Sequence, residues 1–169
     1  MKPMLFVLFA FSLPLQAVYE VGDPVSPEMC WQDRYEQQLC LSAIRGAVVV
    51  LVYNTGWCPG CNAEMSELAS RYSEMKGKPV VFFSLSSEGN SHGSAPDTAF
   101  LNDWQKKHSI PFNVAASPRD AGKSFFKPPY YIPSVVILDK EGKLAFKEVD
   151  ASVTKVFSEV NRLVGEAVR

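Results

Sequence analysis

The stretch from residue 47 to residue 77 constrains the fold more than any other part of the chain. It begins with an uncharged apolar run at residues 47–53, which is typical of a strand buried on both faces of a parallel sheet. After Cys61 the apolar residues recur at the spacing of one helix face, at Met65, Leu68, Ala69, Tyr72 and Met75. Gly77 is placed to end that helix. The sequence therefore predicts a buried strand, a turn and an amphipathic helix in succession.

Two cysteines, Cys58 and Cys61, lie in the first turn of this predicted helix. Residues at i and i+3 of a helix share one side, so the two thiols are close enough to form a disulfide. Pro59 suits the first helical position, where its missing N–H costs nothing. At the helix N-terminus, unpaired N–H groups and the dipole favour a thiolate at Cys58. We therefore predict that Cys58 is the nucleophile and that the less exposed Cys61 resolves the mixed disulfide.

The same C-x-x-C spacing also occurs in zinc sites, which need two further ligands. Cys30 and Cys40 make no second C-x-x-C, and His92 and His108 are not spaced as a ligand pair. We therefore expect no metal and no other cofactor. The strand, turn and helix around the cysteines favour a redox-active pair.

A hairpin at residues 28–41, centred on Tyr35, would bring Cys30 opposite Cys40. In that register four apolar side chains point toward a core: Met29, Trp31, Leu39 and Leu41. We predict a structural disulfide between Cys30 and Cys40. The alternative is a second redox pair that relays electrons to or from Cys61. The structural role is favoured because neither cysteine lies at a helix N-terminus, which would activate its thiol.

Strands and helices alternate along the rest of the chain. Strands are predicted at residues 79–85, at 134–138, at 143–148 and, as a short edge strand, at 110–114. Asp97 or Thr98 can cap one further helix, and Ser152 can cap a C-terminal helix with a continuous apolar stripe. These elements predict an α/β fold with a central mixed sheet, helices on both faces and an N-terminal β-hairpin extension.

Composition and the N-terminus indicate where such a domain would act. The 169 residues are 47% hydrophobic with a net charge of -1, which favours a globular domain and gives no electrostatic footprint for nucleic acid. Residues 1–17 combine Lys2, an apolar run and a small-residue cleavage site, so we predict a signal peptide followed by a single domain at residues 18–169. The alternative is an uncleaved membrane anchor, for which the run is short and contains Pro14. Export to the periplasm, or otherwise out of the cell, would allow disulfides to persist.

Two motifs resemble those of one protein family. Residues 49–61 resemble the active-site region of the thioredoxin superfamily, and residues 57–64 (WCPGCNAE) are most similar to the TlpA-like or ResA-like thiol-disulfide oxidoreductases of the bacterial envelope. Residues 131–143 (YIPSVVILDKEGK) resemble that family's cis-proline segment with its following strand and hairpin turn. The resemblance extends from about residue 25 and implies a thioredoxin-like fold and dithiol-disulfide exchange with protein substrates.

The resemblance also implies roles for individual residues. Glu64 would pass protons to and from the Cys61 thiol, the alternative being a solvated glutamate on the helix surface. Trp57 would pack beside the disulfide as a lid. Pro133 would be cis, which would place the Ile132 backbone next to the nucleophile for substrate pairing. The family's glycine before the cis-proline is replaced here by residues 127–131 (KPPYY), so we expect a stiffer and more aromatic substrate-facing loop.

The same motifs predict the direction of electron flow. The resemblance implies a reductant whose electrons are supplied by a membrane thiol-disulfide electron donor, and cytochrome c maturation is a process that such a reductant would serve. The Pro59–Gly60 dipeptide adds no charge that would stabilise the thiolate of a strong oxidant. Three alternatives remain: an oxidant in disulfide formation, a secreted binding module with two structural disulfides, and a thiol peroxidase. Thr55 fits the peroxiredoxin pattern, but Leu51 replaces the proline that begins it.

Overall fold

The computed structural model describes residues 18–165, so the predicted signal peptide at residues 1–17 lies outside the described residues. The strands are β1 Cys30–Asp33, β2 Gln38–Cys40, β3 Val48–Asn54, β4 Val80–Ser86, β5 Asn113–Ala116, β6 Ser134–Leu138 and β7 Leu144–Val149. The helices are α1 Pro59–Arg71, α2 Thr98–His108 and α3 Val153–Gly165. No helix within residues 18–165 is long and apolar enough to cross a membrane.

All seven strands form one mixed sheet in the order β2-β1-β5-β4-β3-β6-β7. The central strands β3, β4 and β5 are parallel, while antiparallel pairs flank them as β1 with β2 and β6 with β7. Every residue of β3 is buried, which confirms the predicted strand that is covered on both faces. Because the residues that follow β3 begin α1, the cysteine turn lies at the carboxyl edge of the central strands.

The sheet separates two hydrophobic cores. On one face α1, α2 and α3 all pack on the side chains of alternate β3 residues, Val48, Val50 and Val52. On the opposite face Val49, Leu51 and Tyr53 contact the hairpin, the N-terminal segment and the short 3-10 helices Leu41–Ala43 and Ala121–Ser124. The predicted mixed sheet with helices on both faces is confirmed: the three α-helices lie on one face, and the short 3-10 helices Leu41–Ala43 and Ala121–Ser124 lie on the other.

Helix ends follow the predicted capping chemistry. The carboxylate of Asp97 accepts a hydrogen bond from the backbone N–H of Phe100 at 2.8 Å and so caps α2. The hydroxyl of Ser152 accepts one from Lys155 at 3.3 Å at the start of α3. Helix α1 ends at Arg71, and the chain continues as a 3-10 helix through Tyr72–Met75. The regular α-helix is therefore shorter than its apolar pattern predicted.

The strand that we predicted at residues 110–114 differs in position and neighbours. It runs from Asn113 to Ala116, and it is an interior strand rather than an edge strand. Pro111 has no N–H to donate, so the ladder starts only after it. The hairpin occupies the far side of β5, with Gln32 opposite Ala116. An appended hairpin thus covers what would otherwise be an exposed sheet edge.

The N-terminal hairpin has the predicted register, with Cys30 opposite Cys40 and Trp31 opposite Leu39. A disulfide joins the two cysteines. Trp31 is buried and contacts Phe83 of β4, so the hairpin is anchored through its apolar face. The hairpin extension is confirmed.

Candidate active site

The two cysteines of the C-x-x-C motif are joined by a disulfide at the start of α1. Cys58 is the N-cap residue, and its Sγ accepts a hydrogen bond from the backbone N–H of Cys61 at 3.1 Å. Cys58 is 6% exposed and lines a cleft of about 450 Å³, whereas Cys61 is fully buried. An incoming sulfur therefore reaches Cys58 from the cleft, while the protein interior surrounds Cys61.

The cleft has two walls. The first wall comes from the cysteine turn and the segment after β4: Thr55, Trp57, Ser87, Glu88 and His92. The second wall comes from the segments before β6: Arg119, Tyr130, Tyr131 and Ile132. The structure therefore brings Trp57 and Ile132 to the cleft that Cys58 also lines.

The bond between Ile132 and Pro133 is cis, as predicted. The ring of Pro133 packs against the cysteine turn, because a Cβ built on Gly60 would lie 3.4 Å from its Cδ. A second cis bond, between Pro128 and Pro129, occurs in the same loop and was not predicted. Pro133 thus lies directly beside the C-x-x-C turn.

Glu64 lies one turn after Cys61 and is only 8% exposed. Its burial excludes the alternative of a solvated surface glutamate. Neither carboxylate oxygen has a hydrogen-bond partner within residues 18–165. Burial raises the pKa of Glu64 to about 8, with smaller contributions from Asp150 and Glu67. The side chain is therefore protonated at neutral pH and can exchange a proton close to it.

A group of polar contacts around Glu88 was not predicted from the sequence. The indole N–H of Trp57 donates to Glu88 Oε2 at 2.6 Å, and Arg119 forms an ion pair with the same carboxylate, with 3.1 Å between Nε and Oε1. The ring of His92 lies against Trp57 with 3.6 Å between centroids. The hydrogen bond from Trp57 is the largest of several effects that lower the pKa of Glu88. Glu88 follows β4, and parallel neighbours such as β3 and β4 end at the same sheet edge, which is the signal that could have indicated it.

The second wall is aromatic, as the KPPYY segment led us to expect. The hydroxyl of Tyr130 donates to the backbone carbonyl of Arg119 at 2.7 Å. Its ring packs so closely on Gly122 that a Cβ there would lie 2.6 Å from a ring carbon. Tyr131 is 64% exposed beside the cleft. The wall therefore has one fixed aromatic ring and one that faces solvent.

The model of the AhpC/TSA family matches residues 21–147. No protein of curated function matches the chain.

Three solved structures illustrate the similarity in fold. A DsbF homologue from Corynebacterium diphtheriae is 18% identical with a TM-score of 0.69, covering 92% of this chain and 99% of that one. A thiol:disulfide interchange protein of the thioredoxin family from Chlorobium tepidum is 14% identical with a TM-score of 0.68, covering 85% and 99%. A secreted disulfide oxidoreductase from Mycobacterium tuberculosis, homologous to E. coli DsbE, is 16% identical with a TM-score of 0.62, covering 80% and 96%. These likenesses establish a thioredoxin-like fold.

Proposed function

The chain belongs to the AhpC/TSA family and is a thiol-disulfide oxidoreductase of the thioredoxin type, and we propose that it is exported and reduces disulfides in protein substrates. The observation that carries the proposal is the arrangement of the cysteine pair. Cys58 caps a helix and opens onto a cleft, while Cys61 lies buried behind it. That asymmetry suits one attacking and one resolving sulfur.

The first step uses the reduced form of the pair. The Cys58 thiolate is stabilised by the N-terminus of α1, where the N–H of Cys61 points at its sulfur. It attacks one sulfur of a substrate disulfide in the cleft. The substrate S–S bond breaks, its electron pair leaves on the second substrate sulfur, and that sulfur takes up a proton. The product is a mixed disulfide between Cys58 and the substrate.

The second step releases the substrate. Glu64 is mostly protonated at neutral pH, and the second step proceeds through the fraction whose proton has been released to solvent; that carboxylate takes the proton from the Cys61 thiol. The resulting Cys61 thiolate attacks the Cys58 sulfur and closes the Cys58–Cys61 disulfide. The substrate sulfur that Cys58 had attacked leaves as a thiolate and is then protonated. In total the substrate disulfide gains two electrons from the cysteine pair and two protons, one from the Cys61 thiol by way of Glu64 and one from solvent.

The cleft beside Cys58 is proposed to receive an extended segment of the substrate. The backbone of Ile132 would pair with that segment, and Trp57 would close over it. Pro133 would keep the Ile132 segment against the cysteine turn, since its ring packs on Gly60. The aromatic side chains of Trp57, Tyr130 and Tyr131 and the backbone of Ile132 would recognise the shape and main chain of a polypeptide. This suits an enzyme that acts on protein thiols and disulfides.

We further propose that the domain is exported and receives its electrons from a membrane donor. Residues 1–17 would direct the domain, residues 18–169, to the periplasm or beyond, where the Cys30–Cys40 disulfide would persist. The M. tuberculosis neighbour is described as secreted and homologous to DsbE. A membrane thiol-disulfide donor would return the Cys58–Cys61 pair to the dithiol. From the TlpA-like or ResA-like resemblance, we propose cytochrome c maturation as the process that the protein would serve.

Single cysteine variants test the roles of the two sulfurs. Cys58→Ser should abolish disulfide exchange, because it removes the attacking thiolate. Cys61→Ser should instead trap a mixed disulfide, because the resolving step is missing. Trapped complexes can be counted by non-reducing electrophoresis and mass spectrometry after incubation with an oxidised protein. The double variant Cys30→Ser/Cys40→Ser is the control and should exchange at the wild-type rate, whereas equal residual activity in Cys58→Ser and Cys61→Ser would contradict the assignment.

Thiol peroxidase activity is the second candidate. It is favoured by Thr55, whose buried hydroxyl lines the cleft and has no hydrogen-bond partner in the described part of the chain. Peroxide would then oxidise Cys58 to a sulfenic acid with release of water, and Cys61 would resolve it as a disulfide with release of a second water. Steady-state peroxide consumption supported by dithiothreitol separates the candidates. The reductant proposal expects no more consumption than the Cys58→Ser variant shows.

A further inference from the structure

We propose that Glu88 and Arg119 are positioning residues that hold the two walls of the cleft together and fix Trp57 for binding of a protein substrate. This inference rests on the proposed function, because it concerns how the same cleft recognises a polypeptide. Neither residue touches the reacting sulfurs; both would act through Trp57 and Tyr130.

Glu88 contacts its neighbours through both its backbone carbonyl and its carboxylate. Its backbone carbonyl accepts from Gly56 at 3.1 Å, and its carboxylate accepts from the indole of Trp57 at 2.6 Å. The same carboxylate forms an ion pair with Arg119, with 3.1 Å between Oε1 and Nε. The Glu88 side chain is 14% exposed and that of Arg119 is 57% exposed. The charge-assisted hydrogen bond with Trp57 therefore fixes geometry more firmly than the ion pair does.

Arg119 connects this group to the second wall. Its guanidinium forms the ion pair with Glu88, while its backbone carbonyl accepts from the hydroxyl of Tyr130 at 2.7 Å. The path from Trp57 through Glu88 and Arg119 to Tyr130 therefore crosses from one wall of the cleft to the other. All four side chains line the cleft that Cys58 opens onto.

Two glycines allow the loops to pack this closely. A Cβ on Gly56 would lie 2.7 Å from the carbonyl oxygen of Gly89, and a Cβ on Gly122 would lie 2.6 Å from the ring of Tyr130. Both distances are too short for a side chain. The segment after β4 and the tyrosine segment are thus pressed against their neighbours at the two points where the connected path ends.

The expected consequence separates binding from chemistry. Without Glu88 the indole of Trp57 loses its acceptor and the link to Tyr130 is broken, so the cleft no longer has one defined shape. The cysteine turn keeps its helix N-terminus and its hydrogen bond from Cys61 to Cys58. The KM for a protein substrate, which fills the cleft, should therefore rise, whereas the rate of reaction with a small dithiol should not change.

The experiment compares wild-type protein with Glu88→Ala, Glu88→Gln and the control Glu141→Gln. Glu141 is also a carboxylate paired with a cation, Lys143, but it lies in the turn between β6 and β7. With insulin as the protein disulfide and dithiothreitol as the recycling reductant, we expect the KM of Glu88→Ala to rise about tenfold and kcat to change less than twofold; the loss of a hydrogen bond to a charged group is worth at least that factor. Glu88→Gln keeps an acceptor for the indole and should raise KM about threefold. The rate at which dithiothreitol alone reduces Cys58–Cys61 should change less than twofold in every variant.

A double-mutant cycle tests whether Glu88 acts through Trp57. Trp57→Phe keeps an aromatic ring but has no N–H to donate. Because the ion pair with Arg119 remains in Trp57→Phe, adding Glu88→Ala to that variant should still raise the KM for insulin, but by less than the tenfold expected in the wild-type background. A tenfold rise in both backgrounds, an unchanged KM in Glu88→Ala and Glu88→Gln, or an equal loss of rate with dithiothreitol would each overturn the inference. Wild-type protein that fails to reduce insulin would instead contradict the proposed function itself, and Glu88→Gln keeps the test decisive if Glu88→Ala does not fold.

Discussion

Glu64 links the stability of the folded chain to pH through one buried carboxyl group. Burial disfavours the charged form, so the pKa of Glu64 rises to about 8 from its ordinary value of 4.5. Between these two values the unfolded chain has released the proton while the folded chain still binds it. The free energy of unfolding therefore falls as pH rises through this window.

The matched variant is Glu64→Gln, which is neutral at every pH and nearly the same size. We predict that the stability of the wild type relative to Glu64→Gln falls by about 1.4 kcal/mol per pH unit between about pH 5 and pH 8. Denaturant unfolding of the oxidised proteins at unit pH steps measures this difference. Parallel stability curves for the two proteins would show that the Glu64 pKa is not raised.

Gly56 is a second residue whose environment allows a prediction. A Cβ at this position would lie 2.7 Å from the carbonyl oxygen of Gly89. We predict that Gly56→Ala lowers the free energy of unfolding by about 1–3 kcal/mol, because the segment after β4 must move away. Gly165→Ala is the control, since a Cβ there meets nothing within 4 Å, and it should be neutral or slightly stabilising. Equal thermal stability of Gly56→Ala and wild type would contradict the packing described here.

Among the elements, the disulfide hairpin of β1 and β2 extends the parallel centre of the sheet on the side of β5. It pairs antiparallel with β5 and buries Trp31 against the face opposite the three α-helices. The Cys30–Cys40 bond closes the hairpin on itself. Its position at the far edge of the sheet from β6 and the cis-proline loop favours a structural role over an electron relay.

Selective reduction tests that role. With a mild reductant, mass spectrometry should find Cys58 and Cys61 reduced while Cys30 and Cys40 remain joined, because structural disulfides resist reduction more than catalytic ones. The double variant Cys30→Ser/Cys40→Ser should lose up to about 3 kcal/mol of stability and keep its exchange activity. Reduction of all four cysteines at one potential would support the relay instead.

The elements that the sequence predicted are those with a strong local signal. The alternation around Cys30 and Cys40 allows only one register, and the change from a buried run to helical spacing marks the end of β3 and the start of α1. The prediction that β5 is an edge strand was wrong because its neighbour, β1, belongs to a hairpin more than 70 residues earlier in the chain. Local pattern contains no information about such a pairing.

At the scale of the whole molecule, sheet order determines which residues meet at the cleft. The cysteine turn follows β3, Glu88 follows β4, Arg119 follows β5 and Ile132 precedes β6. Cysteines and the cis-proline could be predicted because each belongs to a short motif. The shared edge of β3 and β4 could have indicated Glu88, but its contact with Arg119 could not be predicted, since that contact also depends on β5 ending beside them. Solved structures that are only 14% to 18% identical keep this fold.

The central claim is that the Cys58–Cys61 pair is a reducing couple, and its reduction potential tests that claim most directly. No charged side chain lies between the two cysteines, so within the turn the thiolate is stabilised by the helix N-terminus and not by a charged residue, and we expect the reduced state to be less favoured than in a strong oxidant. Each 30 mV corresponds to about 1.4 kcal/mol for this two-electron couple. The protein is equilibrated with glutathione or dithiothreitol buffers, and the redox state of Cys58 and Cys61 is read by alkylation and mass spectrometry. We predict a potential below about −220 mV, whereas a value near about −120 mV would contradict the reductant assignment and indicate an oxidant in disulfide formation.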